Sequence, residues 1–340
     1  MKVSNSTRRT VVDLFAGGGG FSTAAKLAGC DVLAAVNHNP EVVAIHAENH
    51  PETMHGCYAL NADTNYAAMP DHDILIASPC CQGHSHSRGK DKPEHDTSRA
   101  TLLAVTSAVH AKRPKVVIVE NVTDVREWGH GGDGSRYKWW LAGLALEGYH
   151  VSENVLEAAD FGAGSRRKRL FIVAVHESVA DGPVWVENPK LPWVPASEVI
   201  DSSGKYDHLF TPIADKCKKT RDKYARQYAK GMPTDRDWVF CYRGKGYGYE
   251  LDETICTITT VAQWCLVRGD KSRFLTPAEL RKAMDFPASY KMPKKVKTAI
   301  KFLGNAVNVK VAKAVIETAV AAIDRADARR GVAGRVAAAG

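Results

Sequence analysis

Two adjacent cysteines, Cys80 and Cys81, stand in the stretch SPCCQGHS between Pro79 and Gln82. A thiol reacts as its thiolate, and the nearby His84, His86, Arg88 and Lys90 supply the cationic surroundings that favour that form. The competing reading is two small buried hydrophobes, the ordinary fate of cysteine. Residues 15–20, FAGGGG, follow an apolar run and precede a helical segment. Glycines there let backbone approach a ligand and turn the helix N–H groups toward it. A nicotinamide or flavin nucleotide, an adenosyl cofactor, or a bare tight turn would each suit them. A dinucleotide site requires a third glycine in GxGxxG register, whereas Gly17, Gly18, Gly19 and Gly20 are followed by Phe21 and Ser22. Glu120 and Asn121 place a carboxylate and an amide after KVVIV, and RRKR at residues 166–169 is a cationic cluster suited to phosphate or to solvent.

The elements that hold these residues follow from periodicity. TVVDLFAGGG reads as a strand and tight turn, FSTAAKLAG as a helix stopping at Gly29, and CDVLAAVNHN as a second strand. PEVVAIHAENH opens a helix at Pro40, HDILIAS is a strand, TLLAVTSAVHAKR a helix and KVVIVENV a strand. This alternation predicts the α/β class, with a Rossmann-like doubly wound, mainly parallel sheet. Ligands of such sheets bind beyond the carboxyl ends of the strands, where FAGGGG, SPCCQGHS and ENV all lie. From about residue 180 the alternation stops at VENPKLPWVPASEV, and Gly, Tyr and Lys become frequent. The expected organisation is a catalytic and cofactor-binding domain at 1–179, a smaller domain at 180–288, a return to the first domain at 289–325, and a flexible tail at 326–340.

Length and composition narrow the class. The 340 residues are 44% hydrophobic and 25% charged, the balance of a globular chain. No apolar run reaches membrane-spanning length and the start lacks a signal-peptide core, so an intracellular protein is expected. Eight cysteines without paired CxxC spacing suggest neither a zinc site nor a disulfide scaffold. A net charge of +8 favours a polyanionic partner.

DLFAGGGG, SPCCQGHS, ENV, GAGSRRKRLFIVA, RFLTPAELRKAMDFP and GNAVNVKVAKAV occur in the order and spacing of the cytosine carbon-5 DNA methyltransferases, and the chain resembles that family over residues 10–178 and 273–320. The resemblance implies that Cys81, in the Pro-Cys-Gln position, is the nucleophile, while Cys80 shapes the turn. It implies that Glu120 serves ring N3, that Arg169 contacts the cytosine carbonyl, and that Arg167 buttresses the catalytic loop or backbone. Ser165 stands where the family has Gln, and Gly164 where it has Pro. The cofactor is S-adenosylmethionine, yielding S-adenosylhomocysteine, with no metal. Its pocket comprises Phe15, Ala16, Gly17, Gly19 and Asp63, with Asn37 at the position of the family's ribose-binding acid, and Asn305 and Val307 from the far end of the chain.

The same resemblance makes residues 180–272 a target-recognition region. Within it, residues 216–230, KCKKTRDKYARQYAK, are suited to phosphate contact or form a solvated basic helix. Double-stranded DNA is the implied partner, with the target cytosine flipped out of the duplex. A bacterial or phage-encoded restriction-modification enzyme, monomeric in catalysis, is the corresponding expectation. A tRNA cytosine methyltransferase, a degenerate nucleic-acid-binding module and a nicotinamide-dependent dehydrogenase are the alternatives. The large recognition region, the retained Cys81, Glu120 and Arg169, and the glycine register respectively weigh against them.

Overall fold

The computed structural model describes residues 8–79 and 101–337, with residues 332–337 as backbone alone. Residues 80–100, Cys80 and Cys81 among them, lie outside the described residues. The chain divides into two units, one of residues 1–157, 168–188 and 309–340 and the other of residues 158–167 and 189–308.

The larger unit is built on seven strands: β1 (Thr10–Leu14), β2 (Asp31–Asn37), β3 (Met54–Cys57), β4 (Ile74–Ala77), β5 (Val116–Asn121), β6 (Tyr149–Glu157) and β7 (Lys168–His176). Their order is β3-β2-β1-β4-β5-β7-β6. The first five are parallel, while β7 runs antiparallel to both β5 and β6. Every residue of β4 and β5 is buried, as expected of interior parallel strands covered on both faces. Helices α1 (Gly20–Leu27), α2 (Pro40–Asn49), α3 (Thr101–Lys112) and α4 (Ser135–Leu146) connect the strands. The Asn39 side chain caps α2 by accepting from the Glu41 and Val42 N–H groups, with Pro40 in the first turn. One face of the sheet buries Val12, Leu14, Leu75, Val117 and Val119 with Leu102, Val105 and Trp140. The order reverses between β1 and β4, which puts the switch point beside the glycine turn and Pro79.

The smaller unit holds a five-stranded sheet: β8 (Thr211–Pro212), β9 (Trp238–Cys241), β10 (Tyr247–Glu250), β11 (Trp264–Arg268) and β12 (Lys271–Phe274). It also contains the single turn α5 (Ala196–Val199), α6 (Lys218–Tyr228), α7 (Pro277–Ala283) and α8 (Val296–Asn305). The last helix, α9 (Val309–Ala337), belongs to the larger unit and packs on α1.

Four boundaries differ from the sequence reading, the first being that residues 158–167, expected within the domain at 1–179, belong to the smaller unit. Residues 180–188 stay with the large sheet, because Ser152 Oγ donates to the Val184 carbonyl and the Val186 N–H donates to Asn154 Oδ1. Residues 289–308 join the smaller unit instead of returning to the first domain. Gly304 meets the backbone of Thr259 and Thr260 so closely that a Cβ would lie 2.3 Å from Thr259 C. The tail expected to be flexible from residue 326 is helical to Ala337. Arg9 pairs with Asp324 and Asp327, and Arg329 donates to the Val179 carbonyl at 2.7 Å, which fixes that end of the helix.

Candidate active site

At the end of β1 the backbone turns sharply. Phe15, Gly17 and Gly19 have φ of 58°, 49° and 71°, a region open to glycine but strained for Phe15 by about 1–3 kcal/mol. The Ala16 N–H donates to the Val36 carbonyl and the Gly19 N–H to the Ala16 carbonyl, so the turn is pinned to β2 and to itself. Among the described residues, a Cβ built on Gly17 would meet only the Phe15 carbonyl oxygen, at 3.6 Å. The turn therefore stands open above Gly17. It leads into α1, whose N-cap Gly19 offers no side-chain cap, leaving N–H groups for a ligand.

The ends of three neighbouring strands are tied together. The Ser78 N–H donates to the Leu14 carbonyl at 3.1 Å, linking β4 to β1. Asn121 Nδ2 donates to the Pro79 carbonyl at 3.2 Å, linking β5 to the residue before the two cysteines. Glu120 is buried beside Asn121. Arg169 of β7, two residues from Phe171, which pairs with Glu120 in the antiparallel register, brings Nε to 3.2 Å from Glu120 Oε1. The approach is that of an ion pair and not of an aligned hydrogen bond, because Oε1 receives no donor among the described residues. A buried carboxylate oxygen held beside a cation with its acceptor capacity unused is suited to take a proton or a ring N–H from a substrate.

Burial alternates along residues 165–169: Ser165 and Arg167 are buried, Arg169 is half-buried, and Arg166 and Lys168 are exposed. In the smaller unit Arg167 Nη1 and Nη2 donate to the carbonyls of Ile258 and Gly304, at 3.3 and 3.2 Å. Ser165 Oγ donates to the Ala283 carbonyl at 2.8 Å, and a Cβ on Gly164 would sit 3.0 Å from Ala283 Cα. Both departures from the family pattern thus contact one stretch of backbone. Arg166 stacks 5.0 Å above the ring of Trp193, whose Nε1 donates to Asp160.

The remaining candidates fall in both units. Asn37 ends β2, and its Oδ1 accepts the Asn39 N–H at 3.0 Å. Asp63 is exposed in a turn where its own N–H donates to Asn61 Oδ1. In the smaller unit Asn305 is exposed at the end of α8 and Val307 is buried. On α6, Tyr224 is a core residue whose hydroxyl donates to Ser272 Oγ, Tyr228 donates to the Gly269 carbonyl, and buried Lys223 donates to the Tyr242 carbonyl. These three side chains hold the helix to its sheet and so cannot serve as phosphate or stacking contacts, leaving Lys218, Lys219, Arg221 and Arg226 exposed. Aromatic residues at i and i+4 on a basic helix carry the signature of a packed face, a signal the charge count obscures.

Comparison with known proteins turns this geometry into an assignment. The model of the C-5 cytosine-specific DNA methylases matches residues 9–321. The chain belongs to that family. It is 29% identical over 333 residues to the type II methyltransferase M.NlaX of Neisseria lactamica, covering 94% of this chain and 99% of that one. It is 26% identical over 306 residues to M.HhaI of Haemophilus parahaemolyticus, covering 88% and 90%. Among solved structures the Dnmt2 methyltransferase of S. pombe shares the fold, with a TM-score of 0.63 at 17% identity over 92% of this chain and 98% of that one.

As a methylase of this family the protein uses S-adenosylmethionine, and the glycine turn at Gly17 leading into the start of α1 fits such a ligand. No helix among the described residues is long and apolar enough to cross a membrane.

Proposed function

We propose that the protein flips a cytosine out of duplex DNA and methylates its carbon 5 through a covalent adduct with Cys81. A cytosine carbon 5 is barely nucleophilic. Thiolate addition at carbon 6 converts the ring to an enamine, and a proton held at N3 eases that addition. The observation that carries this reading is the buried Glu120–Arg169 pair, in which Glu120 Oε1 lacks a donor. Glu120 holds the proton at ring N3, and Arg169 keeps the carboxylate in place while reaching the ring carbonyl. Asn121, through the Pro79 carbonyl, fixes the strand end that delivers Cys81. Arg167 braces the backbone at Ile258 and Gly304. S-adenosylmethionine supplies a methyl group already activated by the sulfonium charge, so the reaction needs no metal. Loss of the carbon-5 proton then expels the Cys81 thiolate.

Phe15, Ala16, Gly17, Gly19, Asn37 and Asp63, and likewise Asn305 and Val307, are assigned to cofactor binding by their match to the family motifs. The test is a duplex carrying 5-fluorocytosine, which blocks the last step and traps the adduct. Mass spectrometry should place the adduct on Cys81; an adduct on Cys80, or none with bound duplex and cofactor, would refute the reading.

A further inference from the structure

Asp13 is the one charged residue of the strand TVVDL, and it is fully buried. Ser22 Oγ donates to its Oδ2 at 2.6 Å, and the Ser22 backbone N–H also favours the ionised carboxyl. Its other oxygen, Oδ1, has no hydrogen-bond partner among the described residues. Ser22 lies in the first turn of α1, the end that Gly19 leaves without a side-chain cap. Asp13 thus serves from β1 as the cap of that helix, two residues ahead of Phe15 and the glycine turn.

The path continues outward. Ser22 Oγ is 3.0 Å from Nε2 of buried His46 on α2, and His46 Nδ1 is 2.8 Å from Nε2 of half-buried His55 on β3. Hydrogen-bond polarity links the four groups. With Asp13 ionised, Ser22 donates to Asp13, His46 Nε2–H donates to Ser22, and His55 Nε2–H donates to His46 Nδ1. If a solvent proton enters at His55 Nδ1, each group passes on the proton it already holds. Asp13 ends protonated, His46 and His55 both end as their Nδ1–H tautomers, and one proton in all has been taken up.

We propose that His46 is a positioning residue of the cofactor turn: it orients Asp13 through Ser22 and, with His55, lets this buried carboxyl exchange its proton with solvent, making cofactor affinity depend on pH. The inference rests on the reading of the glycine turn as the S-adenosylmethionine site. Burial pushes the Asp13 carboxyl up to about 7 and the His46 imidazole down to about 2, so the carboxyl titrates near neutrality while the ring between it and solvent stays neutral. The charged and titratable groups facing the path are His50, whose ring lies 4.5 Å from that of His46, and Lys26 of α1, which is paired with Glu52. Among the described residues, the side chain acting on Asp13 is that of Ser22.

Ionised Asp13 binds the α1 terminus more strongly than its neutral form does, and so holds the turn in its binding shape. Calorimetric titration of the full chain with S-adenosylhomocysteine should show affinity rising about three- to tenfold between about pH 6 and about pH 8, with proton release near the midpoint. Asp13→Asn should flatten this profile and abolish the release. Ser22→Ala and His46→Phe remove donors to the ionised form, so the midpoint should move to higher pH. His55→Ala, at the half-exposed outer end where folding is least at risk, should move it the same way. Superimposable profiles for wild type and the variants, or a flat wild-type profile with measurable binding, would overturn the inference. Complete absence of wild-type binding would instead overturn the cofactor reading, and this inference with it.

Discussion

Glu120 Oε1 is a buried oxygen with a guanidinium 3.2 Å away and no aligned donor among the described residues, an arrangement that leaves it available for a proton shared with ring N3. Glu120→Gln keeps the shape and loses the proton acceptor. It should lower kcat by about a hundredfold or more while DNA binding persists; retention of full kcat would remove Glu120 from the reaction. Asn37 already receives the Asn39 N–H on Oδ1, and an aspartate would keep that bond while adding a charged acceptor for ribose hydroxyls. Asn37→Asp should leave cofactor affinity unchanged or tighten it, and calorimetry showing a loss greater than about tenfold, or about 1.4 kcal/mol, would contradict this. Stability should follow the buried groups. Burial lowers His46 to about 2 and His50 to about 4, so each contributes stability above its ordinary value near neutrality and loses it as pH falls toward the folded value. Asp13, raised to about 7, acts in the opposite sense, its contribution being present at low pH and lost as pH rises toward 7. Between about pH 4 and about pH 6, two imidazoles outweigh one carboxyl, and the unfolded chain binds the extra proton. Thermal melts should therefore show stability falling as pH drops through this window, and a flat or opposite trend would refute the assignment. A lone acid in an apolar strand is visible in TVVDL, but its partner His46 lies on a helix whose packing no local pattern specifies.

At the scale of elements, legibility followed burial. β4, and β5 up to Val119, have continuous apolar runs because parallel interior strands are covered on both faces. β3, MHGC, lies at an edge with its terminal residues exposed, and β6, YHVSENVLE, forms the other edge, so neither has a strong apolar signature. α6 illustrates the converse: its charges were legible, its buried face was not. With Lys223 committed to the Tyr242 carbonyl, the exposed Lys218 and Lys219 are the lysines of this helix available to phosphate. Replacing both with glutamine should lower the salt slope of DNA binding by up to about two units and weaken specific and random duplexes alike. An unchanged slope would make α6 a solvated helix and leave the methylase assignment standing.

At the scale of the molecule, the order of the motifs revealed the family, whereas the division into units was hidden. Arg167 binds carbonyls 91 and 137 residues further along, and such long-range bonds, not composition, assign residues 158–167 and 289–308 to the smaller unit. The central claim is that this chain writes 5-methylcytosine into DNA with Cys81 as nucleophile. The most direct measurement is bisulfite sequencing of DNA from a methylation-free host expressing the wild-type chain, Cys80→Ala or Cys81→Ser. The account predicts protected cytosines in one sequence context for the wild type and Cys80→Ala, and none for Cys81→Ser. Protected cytosines with folded Cys81→Ser, or none with folded wild type, would contradict it.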